Sequence, residues 1–219
     1  MDTKSFVVIG LGRFGSSVAK EFSKLGHEVL VIDEDAEKVQ EVADLVTHAV
    51  VGDAKDEMVL NSIGVRNFDG VIIAMGENLE DSVLTTLMLK EMGVSNIVCK
   101  ARNDQHKKVL EKVGADRVVV PEQEMGRRLA QTLVFSNVLD FINLSNDVNV
   151  FEFKAPATWA GKSITELDIR KKYNINILAL RKGEEIMVSP PPHCVIGGED
   201  ILVAVGTTDC IVKLKGVVY

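Results

Sequence analysis

Residues 6–15 read Phe-Val-Val-Ile-Gly-Leu-Gly-Arg-Phe-Gly, and this stretch constrains the fold more than any other. Its apolar run, residues 6–9, is short and unbroken, as a strand covered on both faces of a parallel sheet should be. Gly10, Gly12 and Gly15 then follow the G-x-G-x-x-G spacing. In that motif the first glycine allows a tight turn and the second lets the backbone approach a diphosphate. The third lets the next helix pack close to the strand. The helix that begins near Arg13 would aim its unpaired N–H groups at the phosphates. A glycine turn serving only strand–helix packing would have the same spacing.

The segments that follow alternate strand and helix. Residues 27–33 form a second strand ending at Asp33, 18 positions after Gly15, close to the separation at which a carboxylate holds the ribose hydroxyls of an adenosine. Asp33 would repel a 2′-phosphate, which disfavours NADP; it is also placed to cap the helix that follows. Residues 47–51 are a third strand, leading into Gly52-Asp53-Ala54, where Asp53 has either a nucleoside contact or a helix cap as its role. Strands at residues 70–74, 96–101 and 117–120 complete six rounds within about 120 residues, which makes the crossovers parallel and right-handed. The expected class is therefore α/β, a doubly wound, Rossmann-like parallel sheet. Residues 122–135 read as a long helix, and residues 137–144 continue apolar. Together they form crossover helices that pack either on a second subunit or back on their own domain.

From residue 145 the pattern changes to short strands and turns, a smaller α+β domain that includes Trp159. The expected domains are residues 1–144 and 145–219. The second carries nine acidic and nine basic residues, the first 23 acidic and 16 basic. An acidic domain without a basic stripe argues against nucleic acid as a partner. No apolar run approaches the roughly 20 residues of a membrane span, and the N-terminus lacks a signal-peptide pattern. A cytoplasmic location is expected. Cys99, Cys194 and Cys210 lie far apart and suggest neither zinc nor disulfides.

The fold class suggests an NAD-dependent oxidoreductase or a sensor of the NADH/NAD ratio. No clustered acid–base pair or nucleophile motif accompanies it, which points to binding rather than turnover and to a protein that is not an enzyme. Arg13, inside the glycine turn, suits a terminal phosphate as well as a dinucleotide through charge-assisted contacts, the alternative being a solvated helix residue.

Taken together and in order, Gly10-Leu-Gly-Arg-Phe-Gly15, Asp33, Gly52-Asp-Ala54, Ala74-Met-Gly76 with Ser82, and Gly114-Ala-Asp116 leading to Pro121-Glu122 resemble the domain that regulates potassium conductance (RCK/KTN). That domain occurs in Ktr- and Trk-type uptake systems. The segment Ser163-Ile-Thr-Glu-Leu-Asp168 resembles the family's C-terminal ligand domain, so the resemblance covers essentially the whole chain.

The resemblance implies a cytosolic regulatory subunit that forms homodimers, then an octameric ring beneath a separate membrane potassium-translocating subunit. ATP or ADP, or NAD/NADH in some relatives, would sit on Gly10, Gly12, Arg13, Phe14 and Gly15. Arg13 would meet the terminal phosphate, Asp33 the ribose, and Asp53 with Ala54 the adenine side, with Ala74 and Gly76 nearby. Glu122 would approach the neighbouring subunit's nucleotide, through a cation at the dimer interface. Cyclic di-AMP would take a second site on Ile164, Asp168, Arg170, Asn176, Ile177, Pro192 and His193.

Overall fold

A computed structural model describes residues 2–75, 78–134, 138–145 and 147–215. The chain divides into two compact units, Met1–Gln123 and Glu124–Tyr219.

The first unit is built on six parallel strands: β1 (Ser5–Ile9), β2 (Glu28–Asp33), β3 (His48–Val51), β4 (Gly70–Ile73), β5 (Ile97–Lys100) and β6 (Arg117–Val119). They lie in the order β3-β2-β1-β4-β5-β6. This is the doubly wound class read from the sequence. Alternate residues of the central strands serve opposite faces, because strand side chains have a period of two. Val7, Ile9, Leu30, Ile32, Val71 and Ile73 enter one core. Val8, Val29, Val31 and Ile72 enter the other. Both faces are covered, so the runs are apolar throughout.

Five helices cover these faces: α1 (Arg13–Lys24), α2 (Ala36–Ala43), α3 (Glu57–Ser62), α4 (Leu79–Glu91) and α5 (Asp104–Val113). Four begin on a side-chain cap, in which Asp35, Asp56, Asn78 and Asn103 accept from backbone N–H groups of the first turn. Such a cap is worth about 1 kcal/mol. Helix α1 differs: its N-cap is Gly12, with no side-chain cap and no acidic residue in its first turn.

Helix α6 (Pro121–Val134) starts in the first unit and ends in the second, and none of its described residues is buried. The second unit holds β7 (Val138–Asn143), β8 (Val148–Lys154), α7 (Ile164–Leu167), α8 (Ile169–Tyr173), β9 (Asn176–Lys182), β10 (Glu185–Val188), β11 (Ile201–Thr207) and α9 (Thr208–Lys215). Its sheet is antiparallel, in the order β10-β9-β11-β8-β7.

Here the structure corrects one expectation. The apolar segment after α6 is a strand, β7, paired with β8 from Phe141↔Phe151 to Asn143↔Asn149. It belongs to the second sheet, and the compact units divide at Gln123/Glu124, where the sequence reading placed a boundary after residue 144. A short apolar run has no period that separates strand from helix. Helices α7 and α8 are separated at Asp168, whose φ of 48° is left-handed.

The second unit packs around Phe151, Phe153 and Trp159, with the Phe153 and Trp159 rings edge to face at 5.9 Å. No helix among the described residues is long and apolar enough to cross a membrane.

Candidate functional site

In the first sheet the strand order reverses between β1 and β4, and a crevice opens at the carboxyl ends of those strands. Ligands bind at such switch points in open α/β sheets. The glycine turn leaves β1 here. Gly10 has φ +91°, and a Cβ on it would stand 2.9 Å from the Met75 backbone nitrogen. A Cβ on Gly15 would stand 1.9 Å from the Gly10 carbonyl oxygen, so the first turn of α1 packs directly on the turn it follows. Gly12 is the opposite case: a Cβ there would meet nothing within 4 Å. The space it leaves is the approach to the uncapped N–H groups of α1.

Asp33 fixes this turn from β2. One carboxylate oxygen accepts from Leu11 N–H at 2.6 Å and the other from Asp35 N–H at 2.9 Å. Each oxygen keeps a lone pair with which to accept from a hydroxyl.

Two adjoining cavities occupy the crevice. The larger, about 610 Å³, is lined by Gly10, Gly12, Arg13, Phe14, Asp33, Ala74 and Glu122, all read from the sequence. Met75, Asn78, Lys38, Asp81, Lys100 and Arg102 complete it. The smaller, about 370 Å³, shares Gly10, Asp33, Lys38, Met75 and Asp81, and adds Gly52, Ala54 and Lys55. Gly15 stands behind the turn. Asp53 lines neither cavity; its carboxylate accepts from Lys55 N–H at 2.8 Å and lies 3.7 Å from the Lys55 ammonium. Gly76 lies outside the described residues.

Glu122, at the start of α6, pairs with Lys100 at 2.6 Å, and the Lys100 ammonium lies 5.9 Å from the centre of the Phe14 ring. The hydrogen bond from Lys100, then that from its own backbone N–H, holds the Glu122 carboxyl below the usual carboxylate range, and the charge of Arg13 adds to this. Among the described residues no group of three or more His, Cys, Asp or Glu could hold a metal ion. A cation on Glu122 would have to displace Lys100 and take its remaining ligands from a nucleotide or a second copy of the chain.

The cationic lining residues Lys38, Lys55, Lys100 and Arg102 escaped the sequence reading. A signal did exist for two of them, because Lys100 and Arg102 stand at the carboxyl end of β5, on the edge where such sheets bind ligands.

Behind the crevice, His106 of α5 is buried. Its Nε2 lies 2.8 Å from Ser82 Oγ, which itself donates to the Leu79 carbonyl, and its Nδ1 accepts from Arg102 N–H. These partners assign the neutral tautomer with hydrogen on Nε2. Burial, and then the Arg102 charge, lowers its pKa below 6.5.

In the second unit, Thr165 donates twice to the Pro192 carbonyl, and Ile164 N–H donates to the Cys194 carbonyl. These bonds bring Ile164, Pro192 and His193 together at the start of α7. Asp168 sits at the break between the short helices, Arg170 is exposed on α8, and Asn176 and Ile177 open β9.

A TrkA-N domain model matches residues 6–121 and a TrkA-C domain model matches residues 150–215. The chain belongs to the TrkA-N/TrkA-C family. Among its relatives, the Ktr system potassium uptake protein C of Bacillus subtilis (strain 168) is 50% identical over 212 residues, covering 97% of this chain and 96% of that protein. The Ktr system potassium uptake protein A of the same organism is 48% identical over 203 residues, covering 93% and 91%. A GsuK channel bound to NAD shares the TrkA-N/TrkA-C fold, with a TM-score of 0.66 at 18% identity. The match covers 100% of this chain and 40% of that one. This chain spans less than half the length of the GsuK chains it matches.

Proposed function

We propose that this chain is the cytoplasmic, nucleotide-sensing regulatory subunit of a potassium uptake system, acting on a separate membrane subunit and not as an enzyme. The carrying observation is the uncapped N-terminus of α1, which opens past Gly12 onto a cavity lined by Arg13. A helix N-terminus with free N–H groups and an adjacent guanidinium suits a phosphate chain. The relatives named for potassium uptake, at 50% and 48% identity over nearly the whole chain, support the physiological role.

In this reading ATP or ADP places its phosphates on Gly12 and Arg13, its ribose on Asp33 and its base toward Ala54, with Asp53 acting through Lys55. NAD or NADH is the second reading, favoured by the two adjoining cavities, which offer length for two nucleosides. A second copy of the chain covers the exposed Met125, Leu129 and Leu133 of α6, and copies assemble further into a ring. The segment around Ile164, Pro192 and His193 takes a second ligand, cyclic di-AMP, a reading that rests on the sequence resemblance.

Regulation requires the ligand to bind two states of the assembly with different affinities, since equal affinity shifts nothing. Contact between Arg13 and a terminal phosphate is the proposed source of that difference. Calorimetry with ATP, ADP, NAD, NADH and cyclic di-AMP on one preparation tests the ligands. Arg13→Ala should narrow the ATP/ADP affinity ratio by about tenfold, or about 1.4 kcal/mol. An unchanged ratio would remove Arg13 from the sensing role.

A further inference from the structure

The two cavities proposed to take a polyanion are lined between them by five carboxylates, those of Asp33, Glu34, Asp35, Asp81 and Glu122, and the structure gives each a partner. Asp33 receives two backbone N–H groups. Asp35 receives Glu37 N–H and lies 3.4 Å from Lys38. Glu122 has Lys100. Glu34 and Asp81 remain, and among the described residues both take the same partner: the Lys55 ammonium stands 3.4 Å from Glu34 and 3.6 Å from Asp81, with Asp53 at 3.7 Å.

These three carboxylates come from three separate places: the loop after β2, the loop after β3, and the first turn of α4. One ammonium group joins them. Asp81 is the member that lines both cavities, so its charge bears on whatever occupies either one. Desolvation of the lysine works to lower its pKa, but the surrounding carboxylates outweigh this and leave it raised, so the ammonium stays charged.

We propose that Lys55 is a positioning and charge-neutralising residue of the nucleotide site, which holds Asp81 in check so that the crevice admits a phosphate chain. The inference rests on the nucleotide reading above. It differs from the role of Arg13, which touches phosphate itself. Lys55 acts through a carboxylate, and its effect follows the charge of the ligand. The side chains of Lys55 and Asp81 are each about one-third exposed, so added salt should weaken the effect.

The test is calorimetry of the full chain with adenosine, AMP, ADP and ATP at low and at physiological salt, with thermal melts in parallel. Lys55→Met should weaken ATP by about tenfold while adenosine changes little. Lys55→Arg should keep most of the affinity. In the double variant Lys55→Met/Asp81→Asn, ATP binding should recover, because the charge is removed together with its partner. Asp81→Asn alone should tighten ATP several-fold, which keeps the test open if Lys55→Met fails to fold.

Equal weakening of adenosine and ATP, without recovery in the double variant, would reduce Lys55 to a loop staple and overturn the proposal. So would unchanged or weaker ATP binding in Asp81→Asn. If Lys55→Met binds normally while Arg13→Ala does not, the inference fails and the nucleotide reading stands. If the wild-type chain binds no nucleotide, both fail.

Discussion

The two sheets of this molecule meet water in different ways. The parallel sheet is covered on both faces, and its central strands expose almost nothing. Its glycines and charges gather in the loops at one edge, around a crevice. The antiparallel sheet alternates buried and half-exposed residues along β8 and β11, and β10 is exposed throughout, with Ile186 and Val188 facing solvent at 64% and 74%. In the first unit, then, the central strands build the core and the loops at their carboxyl ends line the crevice. The second unit rests on one aromatic cluster and leaves apolar side chains outside it.

The largest effect should come from that cluster. Trp159 is buried among Phe153, Tyr173 and their neighbours. Trp159→Ala should cost about 3–5 kcal/mol through lost burial and the cavity left behind. Denaturant unfolding followed by hydrogen exchange would place this loss in β8, β9 and β11. Protection lost equally from the parallel sheet would break the comparison.

The next test contrasts two glycines three residues apart. Gly15→Ala forces a methyl group against a backbone oxygen, and overpacking of this kind costs about 1–3 kcal/mol. Gly12→Ala should leave the melting temperature nearly unchanged but weaken nucleotide binding, because its methyl group enters the approach to α1. Equal melting temperatures for the two variants would show that the turn can relax.

The smallest effect concerns His106, the buried titratable group behind the crevice. Its folded pKa lies below its ordinary value of 6.5, so the unfolded chain binds the proton first as pH falls. Its contribution to stability is intact above 6.5 and is lost as pH drops from there toward the folded value. The slope over that window is at most about 1.4 kcal/mol per pH unit. Urea midpoints across the range should fall in the wild type, and the fall should be shallower in His106→Gln.

The fold was legible in the sequence where structure follows from local pattern. Residues 6–9, 29–32 and 71–73 are apolar runs set among glycines and charges, and buried parallel strands produce that pattern directly. The glycine turn was legible for the same reason, since each glycine answers a local demand. Two kinds of feature were not legible. Residues 138–143 have apolar character without a distinguishing period, and only pairing with β8 makes them a strand. Helix α9 is likewise not legible, being a single short segment directly after β11. At the site, Lys55 meets Glu34 and Asp81 across 21 and 26 residues of sequence, and only the fold makes them neighbours. Asp53 was noticed for its place beside Gly52, yet its carboxylate is turned to a lysine whose importance the spacing does not reveal.

The three cysteines have a practical consequence. Cys99, Cys194 and Cys210 are all unpaired and buried, and burial pushes the Cys99 thiol up to about 11. Thiol reagents act on exposed thiolate, so near neutral pH the folded chain presents a surface without native targets. A single cysteine introduced at an exposed position such as Val188 on β10 would then be a unique chemical address. A fluorophore or spin label attached there could follow ligand response in the otherwise unaltered chain.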